Sequence, residues 1–198
     1  MSSTKWFIPL VCAGTSLLAQ TNDLNGLVSA ASHYVSSGLA AARVPETLGL
    51  SKISGDYSTQ YPGAVMSKAS DVQHWTFLYK VNKSAPPTLD GLADPAPKEH
   101  VAVTAECTTG VFNNFKFSDQ PVTGVKSLEF IWVAQSLDSA IANLNANGYV
   151  RGFSKVSIVR PDAANWSDEL VYVFNCPFER REVAISAQTG ALTWTYNY

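Results

Sequence analysis

The three histidines are the first residues to consider for catalysis or metal binding. His33, His74 and His100 lie far apart in the sequence, and none has a spacing typical of a zinc site. We therefore expect surface or core-edge histidines rather than metal ligands. The chain also lacks the motifs of a serine hydrolase, a P-loop and a dinucleotide-binding loop. Cys107 and His100 could meet across a strand as nucleophile and base, but no third residue is placed to orient them.

The carboxylates offer a second chemistry, because two of them side by side can hydrolyse a glycosidic bond. No spacing brings two together among the acidic residues considered, which are Asp56, Asp71, Glu99 and Glu129. Glu129 interrupts an apolar segment, so it forms either an exposed ion pair or a polar anchor for a ligand's head group. No catalytic residue is assigned. An enzyme remains the third alternative, with Asp71 or His74 as the first residues to substitute.

Large aromatic side chains are the most unusual feature of the composition. The chain has 5 Trp, 8 Tyr and 9 Phe, while only 15% of its residues are charged, against about 25% in typical domains. A helix packed on a curved sheet leaves a concavity that such rings can line. The alternative is that the rings only fill the core. The predicted ligand-binding residues are the rings on predicted strands and one polar anchor: Trp75, Phe77, Tyr79, Phe130, Trp132, Trp194, Tyr196 and Glu129.

Two helices and several strands must position these residues. Apolar residues at helical spacing from Leu24 to Leu39 predict the first helix, and Ser136 is expected to cap a second that ends at Asn147 and Gly148. Alternating patterns predict strands, with the face of Trp75 buried. Four prolines within residues 82–98 predict a flap. The predicted strands and hairpins cover 5–13, 48–54, 71–81, 99–117, 126–134, 153–160 and 169–198.

The last thirty residues organise the predicted fold, because an earlier segment echoes them. Val101-Ala-Val-Thr-Ala-Glu-Cys-Thr-Thr-Gly matches Val183-Ala-Ile-Ser-Ala-Gln-Thr-Gly, with a two-residue gap before the glycine. The predicted order of elements also repeats. We therefore predict an internal duplication and an α+β fold with two similar halves, each a helix packed on an antiparallel β-sheet. Residues 1–120 would form one half, with the flap, and 121–198 the other, packed as one compact unit.

The segment Val183-Ala-Ile-Ser-Ala-Gln-Thr-Gly-Ala-Leu resembles the last hairpin of the PepSY module, which reads V-x-V-D-A-x-T-G-x-V. Ser186 stands where the family usually has aspartate. The resemblance covers residues 136–198, with a fainter copy from Val101 to Val111. It implies a cystatin-like fold and a role in binding or inhibition, in a family whose members are mostly secreted or membrane-associated. It implies no catalytic residue.

Charge and cysteine content exclude several classes of partner. A net charge of −2 gives no electrostatic footprint for nucleic acid or an anionic membrane. Three cysteines without a framework favour reduced thiols and therefore the cytoplasm over secretion. The apolar stretch within residues 1–19 resembles a signal peptide, so secretion stays open. No stretch approaches the roughly 20 apolar residues of a membrane span.

These observations lead to two hypotheses for the function. The first is a non-enzymatic carrier of an apolar small molecule, such as a lipid, a terpenoid or a conjugated pigment, which would make the protein a chromoprotein. The sequence leaves the cofactor open, and a bound apolar organic molecule is the candidate. The second is a protein-interaction or peptidase-inhibitor module of PepSY or cystatin type. In that case an exposed strand edge would pair with a second copy as a homodimer, or the flap would enter a partner's cleft.

Overall fold

The computed structural model describes residues 24–41, 46–58, 60–61, 63–83, 101–118, 122–128, 133–162 and 168–198. These residues form two α-helices, eight strands and a short 3-10 helix at Ala69–Asp71. Neither described helix is both long enough and apolar enough to cross a bilayer. The helices are α1 (Leu24–Ala41) and α2 (Leu137–Ala146). The strands are β1 (Glu46–Asp56), β2 (His74–Lys83), β3 (Val101–Thr108), β4 (Val111–Ser118), β5 (Lys155–Val159), β6 (Val171–Cys176), β7 (Arg181–Ser186) and β8 (Leu192–Asn197).

All eight described strands belong to one antiparallel sheet, in the order β4-β3-β2-β1-β5-β6-β7-β8. The prediction of two similar halves, each a helix packed on its own antiparallel sheet, is therefore wrong. The protein is mainly β, with two helices on one continuous sheet. The physical reason is the pairing of β1 with β5 from Lys52↔Val159 to Gly55↔Val156. This pairing satisfies backbone groups that two separate sheets would each leave open at an edge.

Both helices pack on the same face of the sheet, and the main core lies between them and the strands. Successive strand residues point to opposite faces, so Trp75, Phe77 and Tyr79 lie together under the helices, all buried. The prediction that this aromatic face is the buried one is confirmed. Tyr34 of α1 stacks on Phe112 of β4, with ring centroids 5.3 Å apart. Strand alternation and helix periodicity thus meet in one apolar layer.

The α2 helix begins and ends where the sequence predicts. The Ser136 hydroxyl accepts a hydrogen bond from the Ser139 N–H at 3.2 Å, which satisfies one of the free donors of the first turn. The buried residues of α2, Leu137, Ala140, Ile141 and Leu144, form one stripe against the sheet. The helix stops at Asn147, and Gly148 follows with a φ of +92°.

Several strand predictions need correction or fall outside the described residues. The hairpins β3–β4 and β7–β8 form where the two echoed segments were found, whereas the internal duplication stays a prediction. A strand over 126–134 is wrong for its described part. The chain there makes isolated hydrogen bonds instead, such as Leu128 N–H to the Leu50 carbonyl at 2.6 Å, which is accessible because β5 pairs with β1 only from Lys52 to Gly55. The predicted strand at 5–13 and the flap beyond Lys83 lie outside the described residues.

Candidate functional site

The sheet face opposite the helices, here called the helix-free face, holds the polar side chains that could bind a ligand. Alternation along β1 places Lys52, Ser54 and Asp56 on this face. The register sets Lys52 opposite Val159 and Ser54 opposite Ser157. The two serine hydroxyls are buried and hydrogen-bonded to each other at 3.2 Å. This face therefore carries polar groups from the strands that join in the middle of the sheet.

Residues 122–126, here called the crossing segment, run over the helix-free face. Val125 forms an isolated antiparallel bridge with Pro161, just beyond the end of β5. The Lys80 ammonium donates to the Val125 carbonyl at 3.1 Å, and the Lys126 N–H donates to the Arg160 carbonyl at 2.8 Å. These bonds hold the segment against β2 on one side and against the end of β5 on the other. The segment thus divides the face into two hollows.

Two cavities flank the crossing segment, and Lys52 and Val125 line both. The first has a volume of 330 Å³ and lies against Leu78 and Thr104. This volume is at the lower end of the range for small-molecule sites, which begins at about 300 Å³. The second has a volume of 200 Å³ and lies against Trp194, with Ser157 and Glu182 as polar neighbours. A molecule lying along the face would meet Lys52 from either cavity.

The Lys52 ammonium is the main charged group between these cavities. Burial lowers the pKa of Lys52, and repulsion from Lys155 lowers it further, while Glu182 acts in the opposite direction. No salt bridge forms at Lys52 among the residues that the structure describes. A half-buried cation that Glu182 attracts without forming a salt bridge favours binding of an anionic group, because the anion could contact the ammonium directly.

The second cavity has an apolar floor that is separate from the main core. Val159, Val171 and Ala184 are buried together on the helix-free face, and Val125, Val173 and Trp194 pack against them. This cluster lies beside Lys52 because Lys52 and Val159 are cross-strand partners. The face therefore combines one cation with an adjacent apolar surface, which suits a molecule that is apolar along its body and acidic at one end.

His74 and Asp56 form a hydrogen-bonded pair at the end of the same face. Imidazole Nδ1 lies 3.2 Å from Asp56 Oδ1, and the His74 side chain is only 7% exposed. Nε2 is buried and has no hydrogen-bond partner among the described residues. An Asp–His pair can serve in proton transfer, but a substrate cannot reach a closed-off Nε2 in this conformation. The described residues also contain no cluster of three or more His, Cys, Asp or Glu that could hold a metal.

Asp71, which the sequence suggested as a catalytic candidate along with His74, has a structural role instead. Its carboxylate accepts hydrogen bonds from the N–H groups of Ser67 at 2.9 Å and Lys68 at 3.2 Å. These bonds cap the 3-10 helix that precedes β2. The proposed pair of Cys107 and His100 cannot be assessed, since His100 lies outside the described residues. Cys107 is buried in the main core opposite Trp75, and burial raises its thiol pKa.

The structure separates those predicted ligand-binding rings that it describes. Trp75, Phe77 and Tyr79 lie in the main core, where burial raises the pKa of the Tyr79 phenol to about 12. Of the predicted residues that the structure describes, Trp194 alone lines a cavity. Tyr196 lies two residues further along β8 and is 60% exposed.

The remaining predicted residues, Glu129, Phe130 and Trp132, lie outside the described residues. Sequence reasoning missed Lys52, although the signal was the same one that singled out Glu129. Lys52 is a charged residue inside a strand whose neighbours Leu50 and Ile53 are buried. Such a residue must lie on the face opposite the buried one, which here is the helix-free face. It becomes a candidate site residue only once the crossing segment is known to lie over that face.

Comparison with known proteins adds little to this geometry. No family model matches the chain, and no curated protein matches it. The PepSY and cystatin resemblance therefore stays a prediction. One similar solved structure is a "putative lipoprotein" from Clostridium difficile 630, with 7% identity and a TM-score of 0.40 over 83% of this chain and 90% of that one. A likeness at this level supports no argument about fold or function.

Proposed function

We propose that this protein is a non-enzymatic binding protein for a small amphiphilic molecule. The ligand's acidic group would pair with Lys52, and its apolar body would lie in the cavities beside the crossing segment. Lipids, terpenoids and conjugated pigments with a carboxylate all have this chemistry. The observation that carries the proposal is the position of Lys52, a half-buried cation that lines both cavities and has no salt bridge among the described residues.

The apolar surface beside Lys52 supports the same proposal. Val125 lies between the two cavities, and Val173 and Trp194 extend the apolar lining away from Lys52. Each buried methylene of a ligand contributes about 0.8 kcal/mol. A charge-assisted hydrogen bond to the ammonium contributes a further 1.5–3 kcal/mol or so. The apolar contacts would thus supply much of the affinity, and Lys52 would select for the acidic group.

A pair of probes with the same chain length, one with a charged and one with a neutral head group, tests this assignment. Dodecanoate and dodecanol would be titrated calorimetrically into the wild type and into Lys52→Met, a change that removes the charge and keeps most of the length of the side chain. We expect the substitution to weaken dodecanoate binding by roughly 10- to 150-fold and to leave dodecanol binding unchanged. Trp194→Ala should weaken the binding of both probes, because it removes part of the shared apolar lining.

Lys116→Met is the matched control, since Lys116 is also a lysine on the helix-free face but pairs with Glu106 at 3.3 Å. It should change the affinity for neither probe. Equal affinity of dodecanoate for the wild type and for Lys52→Met would refute the role of Lys52. Failure of both probes to bind the wild type would refute the amphiphile site as a whole.

A further inference from the structure

Among the strands that the structure describes, β8 forms one outer edge of the sheet, and it has the composition of a pairing surface. Edge strands expose unpaired backbone groups, and proteins usually protect them with charges, prolines or bulges. Residues 191–198 read Ala-Leu-Thr-Trp-Thr-Tyr-Asn-Tyr and contain no charged side chain and no proline. The register irregularity of β8 lies between Leu192 and Trp194, so the ladder beyond it is regular. The opposite edge strand, β4, carries Lys116 within its regular part.

The hydrogen bonds of β8 with β7 fix which of its backbone groups point outward. The Tyr198 N–H donates to the Arg180 carbonyl at 3.3 Å, so Tyr198 points its backbone groups toward the sheet. Inward and outward backbone groups alternate along an antiparallel strand. Tyr196 and Trp194 therefore also bond inward, and the N–H and C=O groups of Thr195 and Asn197 point away from the sheet.

We propose that a second copy of this chain pairs with β8 in antiparallel orientation, about a two-fold axis at Thr195. In this register Thr195 faces the partner's Thr195 as a hydrogen-bonded pair. Trp194 then faces the partner's Tyr196 as a non-hydrogen-bonded pair, in which side chains approach more closely. Both rings lie on the helix-free face, since Trp194 pairs with Ala184 and Tyr196 with Glu182.

Self-complementarity is what favours a second copy over an unrelated strand. The register sets aromatic side chains opposite each other, which is a stabilising cross-strand combination. It sets no like charges opposite each other, because this strand has none. The two-fold axis also closes the assembly at two copies, as an isologous interface requires. Tyr196 and Thr195, which the single chain leaves exposed, would become covered.

The pairing would also extend the helix-free face. Trp194 lines the second cavity, so the partner's Tyr196 would continue the aromatic surface beyond it. The dimer does not depend on the proposed ligand, however. It rests on the backbone alternation and the composition of β8 alone, and it is tested on the unliganded chain.

Cysteine cross-linking tests the position of the axis. In a Cys12→Ser background, Thr195→Cys brings two sulfur-bearing residues face to face with Cα atoms about 5.5 Å apart, inside the disulfide range of about 4.4–6.8 Å. Asn197→Cys is the matched control, because it lies on the same strand and face but about 13 Å from its own copy. Mild oxidation should link most of the Thr195→Cys chains and few of the Asn197→Cys chains. Equal linkage of both variants would overturn the register.

Charge substitution at the same position tests the dimer itself. Thr195→Lys and Thr195→Glu each set like charges against each other across the axis, so each alone should sediment with half the mass of the wild type. An equimolar mixture should regain the dimer mass, because lysine then faces glutamate. Circular dichroism would check that both variants remain folded. A wild type that stays monomeric at every concentration, or a mixture that stays monomeric, would overturn the proposal.

Discussion

Two glycines with nearly the same backbone angle should respond very differently to alanine. Gly152 has a φ of +89° and Gly148 a φ of +92°, a region in which an L side chain is strained. A Cβ at Gly152 would lie 2.5 Å from the carbonyl oxygen of Met66. Apart from its neighbours in the chain, no atom of the described residues lies within 4 Å of a Cβ at Gly148. Both substitutions thus carry the cost of the left-handed backbone, and Gly152→Ala adds the cost of a steric clash.

The cost of the clash depends on the backbone contact between Met66 and Phe153. The Met66 N–H donates to the Phe153 carbonyl at 2.7 Å, and the Phe153 N–H donates back at 2.9 Å to the same oxygen that the new Cβ would meet. Both side chains are fully buried in the main core. Relieving the clash separates the two backbones, which loses two hydrogen bonds at about 1 kcal/mol each and disturbs packing by another 1–2 kcal/mol or so.

We therefore expect Gly148→Ala to lower the free energy of unfolding by about 1–2 kcal/mol, the cost of the left-handed backbone alone. Gly152→Ala should lower the free energy of unfolding by about 4–6 kcal/mol. The variant still folds if the wild-type free energy of unfolding lies in the upper part of the usual range of about 5–15 kcal/mol. Urea denaturation followed by tryptophan fluorescence measures both values. A difference of less than about 1 kcal/mol between the variants would refute the reasoning, because it would mean that the backbone moves freely at Met66.

Two further predictions concern titratable side chains. In a Cys12→Ser background, the buried thiols of Cys107 and Cys176 should resist alkylation in the native protein and react after denaturation. Burial raises the pKa of Cys176 to about 12, which leaves about 1,000-fold less thiolate than in a free cysteine. Rapid labelling of the native protein would contradict the burial of these thiols. Lys52→Met should raise the free energy of unfolding near neutral pH, because it removes the desolvation cost that burial imposes on the ammonium. The unfolded chain holds this proton more tightly, so wild-type stability rises with pH between the lowered folded-state pKa of Lys52 and the ordinary 10.5. The advantage of the variant should shrink over that window in thermal melts, whereas a constant advantage would show that the charge is not its cause.

Local sequence patterns predicted the local structure of this protein well. The spacing from Leu24 to Leu39 matches the buried stripe of α1, and the Ser136 cap and the Asn147-Gly148 stop match α2. These features depend on residues within a few positions of each other, so the physics that creates them is contained in short segments. The burial of Trp75, Phe77 and Tyr79 follows from the same kind of local alternation.

The arrangement of the sheet was mispredicted because it depends on residues far apart in the chain. Nothing near Ser54 shows that it will face Ser157, and this pairing joins what looked like two separate sheets. The predicted rings that the structure describes lie on opposite faces of the sheet for a related reason. Alternation shows that Trp75 and Thr76 point to opposite faces, but it does not show that both helices will cover the face of Trp75 and leave the other to the crossing segment.

The position of Lys52 follows from the joining of β1 and β5 more than from its own neighbours. A lysine at the outer edge of a sheet would extend its ammonium into water and keep its ordinary pKa. Lys52 begins the ladder between β1 and β5, so strands flank it on both sides and the crossing segment lies over it. The desolvation cost that this placement imposes supports the proposed site, because ionisable groups with perturbed pKa values cluster at functional sites. A ligand that spans both cavities would contact β2 and β3 on one side and β5 to β8 on the other. It would therefore stabilise the join between β1 and β5, which holds the two ends of the sheet together.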